Sequence, residues 1–180
     1  MANLTHAELI TPGRVLFSGD AEDVVLRADG GDTAFLANHC DYIASVDTCV
    51  VRIQGVHDDE RTTGTGGPVA AGTGAANAVA AESSSPLRDV IAAVHGGYVK
   101  VERNTVEVVA PVAELAEEID VDRAKRALEA AEAKAKAAAG SDRDAGESAL
   151  GDLAEAEAAA ARARVRLEAA NAAGTGPSLA

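Results

Sequence analysis

AVHGGYVKVERNTVEVVAPVAELAEEIDVDRAKR, residues 93–126, changes its hydrophobic period once, and that change divides the chain. Val99 and Val101 alternate with Tyr98, Lys100 and Glu102, and Val106 and Val108 alternate with Glu107. A period of two marks half-buried strands, with Arg103-Asn104 between the two runs as a tight turn. After Pro111 the spacing lengthens to three and four. Ile119-Asp120-Val121-Asp122-Arg123-Ala124 reads as a helix start, with Asp120 placed to accept backbone N–H groups of the first turn. Upstream the chain reads as β and downstream as helix, with a hinge over residues 112–120.

Upstream, residues 7–19, AELITPGRVLFSG, read as a strand, a Thr-Pro-Gly turn and a second strand with Val15 and Phe17 facing inward. Residues 22–28 form a third strand with Val24 and Leu26 on one face, closed by Asp29-Gly30-Gly31-Asp32, whose glycines suit a turn. Residues 33–36 and 50–56 are further strands, and strand character returns at 87–94. Between them the periodicity vanishes: residues 57–86 are mostly Gly, Ala, Thr and Ser, with nothing large to bury, and read as a flexible insertion in a surface hairpin. Gly64-Thr65-Gly66-Gly67 lacks the Gly-Lys-[Ser/Thr] of a phosphate loop, which favours a linker.

Downstream, alanine fills 22 of the 53 positions from 121 to 173. Val121, Ala124, Leu128, Ala131, Ala135 and Ala138 form one three-four seam, and Leu153, Ala156, Ala160, Ala163, Leu167 and Ala170 a second. Residues 139–146 break the helix between them, predicting an antiparallel hairpin. Each Ala in place of Leu gives up about three carbons at ~0.8 kcal/mol per buried CH₂. Such a hairpin is helical by propensity and only weakly held by packing. It can therefore open without unfolding. Residues 174–180 are expected to be a disordered tail.

Composition removes whole classes of function. The 180 residues are 47% hydrophobic and 25% charged, as in an ordinary globular chain. Aromatics are 2% and Trp is absent, which denies nucleic acids their stacking platforms. A formal charge of −13 opposes wrapping nucleic acid or adhering to anionic lipid. No stretch approaches the ~20 apolar residues of a membrane span, so no direct membrane insertion is expected. Cys40 and Cys49 read as small buried residues, and His6, His39, His57 and His95 fall in separate segments as turn or surface residues. With no metal spacing and no catalytic triad or carboxylate pair to assemble, the chain reads as a non-enzyme.

HGGYVKVERNTVEVVAPVAELAEEIDVDRA resembles the epsilon subunit of rotary, F-type ATP synthases: Gly96-Gly97 before a hairpin, an acidic linker, then Ile119, Asp120, Arg123 and Ala124 in an [IL]-D-x-x-R-A helix start. Residues 31–41 resemble the family's G-E-L-G-I-x-x-x-H-A-P run, with Asp41 in place of its Pro. The resemblance covers about 7–56 and 87–170. It implies a β + α fold: an N-terminal β-sandwich of about ten strands at 1–111, then a C-terminal antiparallel two-helix hairpin at 121–173. It also implies a non-catalytic central-stalk subunit, peripheral on the cytoplasmic side of the cell membrane and needing no cofactor. The implied partners are the gamma subunit and the c subunits of the membrane ring through the β body. The hairpin would reach the alpha and beta subunits to inhibit ATP hydrolysis.

Two residue groups carry what the resemblance adds. Asp32 and His39 bracket a segment that in the family faces the membrane ring; on their own they are two polar loop residues. In some members a set matching Glu114, Asp120, Arg123, Arg162 and Arg166 binds regulatory ATP, the family's Arg-x-x-x-Arg-Leu standing here as Arg162, Arg166 and Leu167. On their own these arginines are a solvated or salt-bridged face. The rival to the whole reading is a β-sandwich adaptor with a helical dimerisation arm, unrelated to ATP synthase.

Overall fold

The computed structural model describes residues 3–57, 88–140 and 146–174. The insertion apart from its first residue His57, the break between the helices at 141–145 and the tail beyond 174 lie outside them. Eight strands are described rather than about ten: β1 Thr5–Ile10, β2 Val15–Ala21, β3 Asp23–Ala28, β4 Gly31–Leu36, β5 Tyr42–Val56, β6 Arg88–Glu102, β7 Thr105–Val109 and β8 Ala113–Leu115. The difference lies in strand length. β5 starts eight residues before the expected strand, and β6 runs unbroken through two expected ones, each reaching 15 residues.

Their order is β2-β1-β7-β6-β5-β3-β4, with β8 following β7 along the same edge of β6, opposite β5. β5 and β6 pair antiparallel along almost their whole length, from Tyr42 opposite Val101 to Val56 opposite Arg88. Gly96 and Gly97, at φ 77° and 130°, let β6 change neighbours part-way. Before them Ala92–Val94 pairs with β8, and after them Tyr98–Glu102 pairs with β7. The Glu22 N–H bonds Gln54 O at 2.9 Å and the His57 N–H bonds Asp20 O at 3.0 Å, tying the end of β2 to the end of β5. The two halves of the long pair thus belong to two facing layers of a sandwich.

The core between the layers is aliphatic, as the composition requires. Leu9, Val99, Val101, Val106 and Val108 meet Val24, Leu26, Val51, Ile53 and Val94, with Phe17 and Phe35 the buried aromatics. Val15, expected inward with Phe17, is exposed instead. The register slips at Ile10, which breaks the alternation between Val15 and Phe17.

Arg103 and Asn104 form the tight turn read from the sequence, at φ 50° and 62°. Positive φ at both central residues is the geometry that matches strand twist in a two-residue hairpin. Asn104 does more than turn. Its Nδ2 donates to Leu4 O at 2.8 Å and its Oδ1 accepts from the Asn38 N–H at 2.7 Å, joining three segments.

Residues 112–120, expected as a hinge, hold β8 and a 3₁₀ turn at Ala116–Glu118. β6 leaves β7 at the double glycine, so its earlier half would present an unpaired edge, and β8 satisfies those backbone groups. Helices α1, Val121–Gly140, and α2, Gly146–Ala172, follow. Along α1 the positions shielded from solvent are the expected seam: Ala124 and Ala131 buried, Val121, Leu128, Ala135 and Ala138 half-buried. α2 ends at Gly174 in the left-handed region, φ 72°, where a glycine terminator belongs.

Candidate functional site

α2 has a second face that the seam did not announce. Val165 and Ala169 lie on the outer side of the sandwich, buried with Ala170 against Ala93, Ala116 and Ile119 and flanked by Val50 and Ile91. The hairpin is therefore packed down on β5 and β6. Half of these eight residues are alanines, so α2 sits close to the sheet while the apolar area buried stays modest.

Glu114 and Arg166 pin this interface. Arg166 Nε donates to Glu114 Oε1 and Oε2 at 3.0 and 3.1 Å, and Nη2 donates to Oε1 at 2.6 Å. Both side chains are mostly shielded, at 26% and 35% exposed. The guanidinium's hydrogen bonds, against an opposing effect of burial, hold the Glu114 carboxyl below its ordinary range. β8 supplies the acid and α2 the base, so the pair exists only while the hairpin is docked.

His95 corrects the reading of the histidines as turn or surface residues. It lies within β6, its N–H donating to Val112 O at 3.1 Å. Both ring nitrogens are buried with no hydrogen-bond partner. Burial first, then the positive charge of Arg166 and, more weakly, of Arg162, push its pKa down to about 4, with Glu114 opposing. The ring is neutral at pH 7.

Beside this pair a cavity of about 250 Å³ opens at the start of α1, lined among others by Glu114, Asp120, Arg123, Ala124 and Arg166. Four of the five residues expected to hold a nucleotide thus share one cavity, drawn from β8, the start of α1 and α2. Arg162 does not line it; it is half-buried one turn back on α2, where His95 feels its charge. Two lining acids are already committed. Glu114 is held by Arg166, and Glu118 accepts from Arg14 Nη2 at 2.6 and 2.8 Å. Asp120 caps α1, its Oδ1 accepting the Arg123 N–H at 2.9 Å. The Arg123 guanidinium remains exposed at the mouth. The volume suits a phosphate group and its sugar better than a whole nucleotide, since ligand pockets usually exceed ~300 Å³. Removing the cap by Asp120→Ala is expected to cost about 1 kcal/mol in the thermal melt of the helices, with Asp120→Asn losing only a fraction of that.

Asp32 and His39 stand apart. Asp32 is exposed at the start of β4 and pairs with Arg27 Nε at 2.9 Å. His39 follows the end of β4, its ring edge-on to Phe35 at 5.1 Å and 6.0 Å from Tyr42. Between them lie four strand residues, 33–36, and a turn at Ala37-Asn38 that the His39 N–H closes on Leu36 O at 3.2 Å. Cys49 is buried as expected, whereas Cys40 is exposed beside His39.

The sequence reading missed His95, the Arg14–Glu118 tie and the Val165–Ala169 face. For the last a signal was present: Val165 is the one β-branched residue of α2 and lies off the seam.

Comparison with known proteins agrees with this layout. The family described as "ATP synthase, Delta/Epsilon chain, beta-sandwich domain" matches residues 4–86. The ATP synthase epsilon chain of Streptomyces griseus is 34% identical over 139 residues, covering 77% of this chain and 89% of the relative. That of Brevibacillus brevis is 33% identical over 132 residues, covering 73% and 77%. Among solved structures, a chain of the Euglena gracilis mitochondrial ATP synthase in an OSCP/F1/c-ring structure superposes with a TM-score of 0.61 at 17% identity, covering 94% of this chain and 82% of that one. At that identity the likeness speaks for the fold.

Proposed function

Since the chain belongs to the ATP synthase epsilon chain family and is a non-catalytic part of the rotor stalk, we propose that its helical hairpin is a movable brake on ATP hydrolysis and that the docked form is the released state. The β body holds the gamma subunit and the c subunits of the ring, peripheral to the membrane on the cytoplasmic side. The undocked hairpin reaches along gamma to the alpha and beta subunits. Among the described residues no helix is long and apolar enough to cross a membrane.

One observation carries the reading: among the described residues the hairpin's grip on the sandwich is a small cluster of alanine, valine and isoleucine side chains with one bidentate ion pair, Glu114–Arg166. An interface of that kind can be broken while the helices, alanine-rich, persist. The rival adaptor with a dimerisation arm fits less well, because α1 and α2 turn their seams to each other.

Regulatory ATP extends the same reading, with its phosphates in the cavity and its base outside it. Arg123 belongs to α1 and Arg166 to α2, and they line one cavity in the docked form, so a ligand bridging them stabilises that form through its differential affinity. ATP at millimolar concentration is expected to raise the melting temperature of the hairpin, and Arg123→Ala or Arg166→Ala to remove most of the rise. Calorimetry on the subunit decides this: no shift in the parent, or equal shifts in the variants, would sink it. Capture of the gamma subunit by the full chain tests the β body separately.

A further inference from the structure

We propose that His95 is a proton-binding switch at the hairpin–sandwich interface, its protonation releasing α2 from the sheet. The proposal rests on the reading that the hairpin can leave the sandwich and adds what drives it off.

In the docked form neither ring nitrogen has a partner, so even neutral His95 leaves an N–H without an acceptor. A protonated ring would leave two. The charges facing it are Arg166 and Arg162 from α2 and Glu114 from β8. Glu114, the attractive one among these three, has its oxygens already engaged by Arg166. Undocking reverses every part of this. Both guanidiniums leave with α2, water reaches the ring, and Glu114 loses its cation while remaining opposite Ala93, two residues from His95. The undocked state therefore binds the proton more tightly, and by linkage the proton favours the undocked state.

The direction and window follow. A histidine whose pKa is lowered on docking, from an ordinary 6.5 to about 4, supports docking fully above 6.5 and progressively less as pH falls toward 4. Between pH 7.5 and 5.5 the ratio of docked to undocked chain is expected to fall about tenfold. Glu114 is not a rival over that range. Its pKa is depressed by the docked Arg166, so its contribution is lost only below the ordinary carboxylate range.

The test uses the full chain with Val165→Ala, which loosens α2 at its largest contact with the sheet. Energy transfer between fluorophores at the exposed positions Arg103 and Glu157 reports the docked fraction. The tenfold fall between pH 7.5 and 5.5 should appear with His95 present and vanish in His95→Gln. An equal fall in both, no fall in either, or a chain that never undocks overturns the proposal. Should His95→Gln not fold, the carbon-bound ring protons of His95 in the unaltered full chain supply the answer by NMR. A midpoint near 4 supports the switch, and one near 6.5 removes it.

Discussion

Replacing Gly97 with alanine is expected to remove about 4 kcal/mol or more of the sandwich's stability, placing it among the severe single substitutions. The effect has two sources. At φ 130° the backbone occupies a region almost closed to residues with a side chain. In addition, a Cβ there would collide with the Val109 carbonyl oxygen and lie 2.9 Å from Ala110 Cα, both backbone atoms that no rotamer change can move aside. Gly97 is where β6 passes from one layer to the other, so local relief would have to shift β7. Gly13, whose Cβ would meet nothing within 4 Å, is the control, and Gly13→Ala should change stability by no more than about 0.5 kcal/mol. Urea unfolding followed by circular dichroism compares them. A Gly97→Ala chain as stable as the Gly13→Ala chain would show that β6 does not need glycine to turn.

Arg166→Ala is expected to weaken docking by about 2 kcal/mol, roughly a thirtyfold shift toward the undocked hairpin, while leaving the unfolding of the sandwich unchanged. Its three hydrogen bonds to Glu114 all go, and the half-buried carboxylate is left without a cation. The variant should also change the response to acid. In the parent, the depressed Glu114 pKa means stability that is complete above the ordinary carboxylate range and lost as pH falls through the lowered value. Without Arg166 that acid limb should flatten. Energy transfer between hairpin and sandwich, measured from pH 7 to pH 3, reads both effects. If docking is unaffected, the apolar contacts alone hold the hairpin and the ion pair is incidental to it.

The cavity residues illustrate why a site is harder to read than a fold. Glu114, Asp120, Arg123 and Arg166 were singled out by resemblance, and no periodicity joins a strand residue to a helix residue fifty-two positions away. Asp120 alone was legible from local physics, because capping is a contact within one turn. His95 was passed over for the same reason: its own neighbours are Val94 and Gly96, and nothing in them says that α2 will lie across its ring. Asp32 and His39 were singled out by resemblance as well, and the structure sets them at the two ends of β4, one in the strand and one past its closing turn.

What the sequence determined by itself was therefore local. The period of two up to Val109, the αL turn at Arg103-Asn104, the cap at Asp120 and the alanine seam of α1 all depend on residues within a few positions of one another. Tertiary structure alone decided how far the strands run, that β8 would fill the edge of β6 beside the double glycine, and that α2 would spend a second face on the sheet. It also decided the pairing of Glu114 with Arg166 and the burial of the ring nitrogens of His95. Those outcomes depend on which surfaces remain uncovered once the sandwich has closed, and a backbone edge or an apolar patch left open is a property of the assembled layers, not of any stretch of chain.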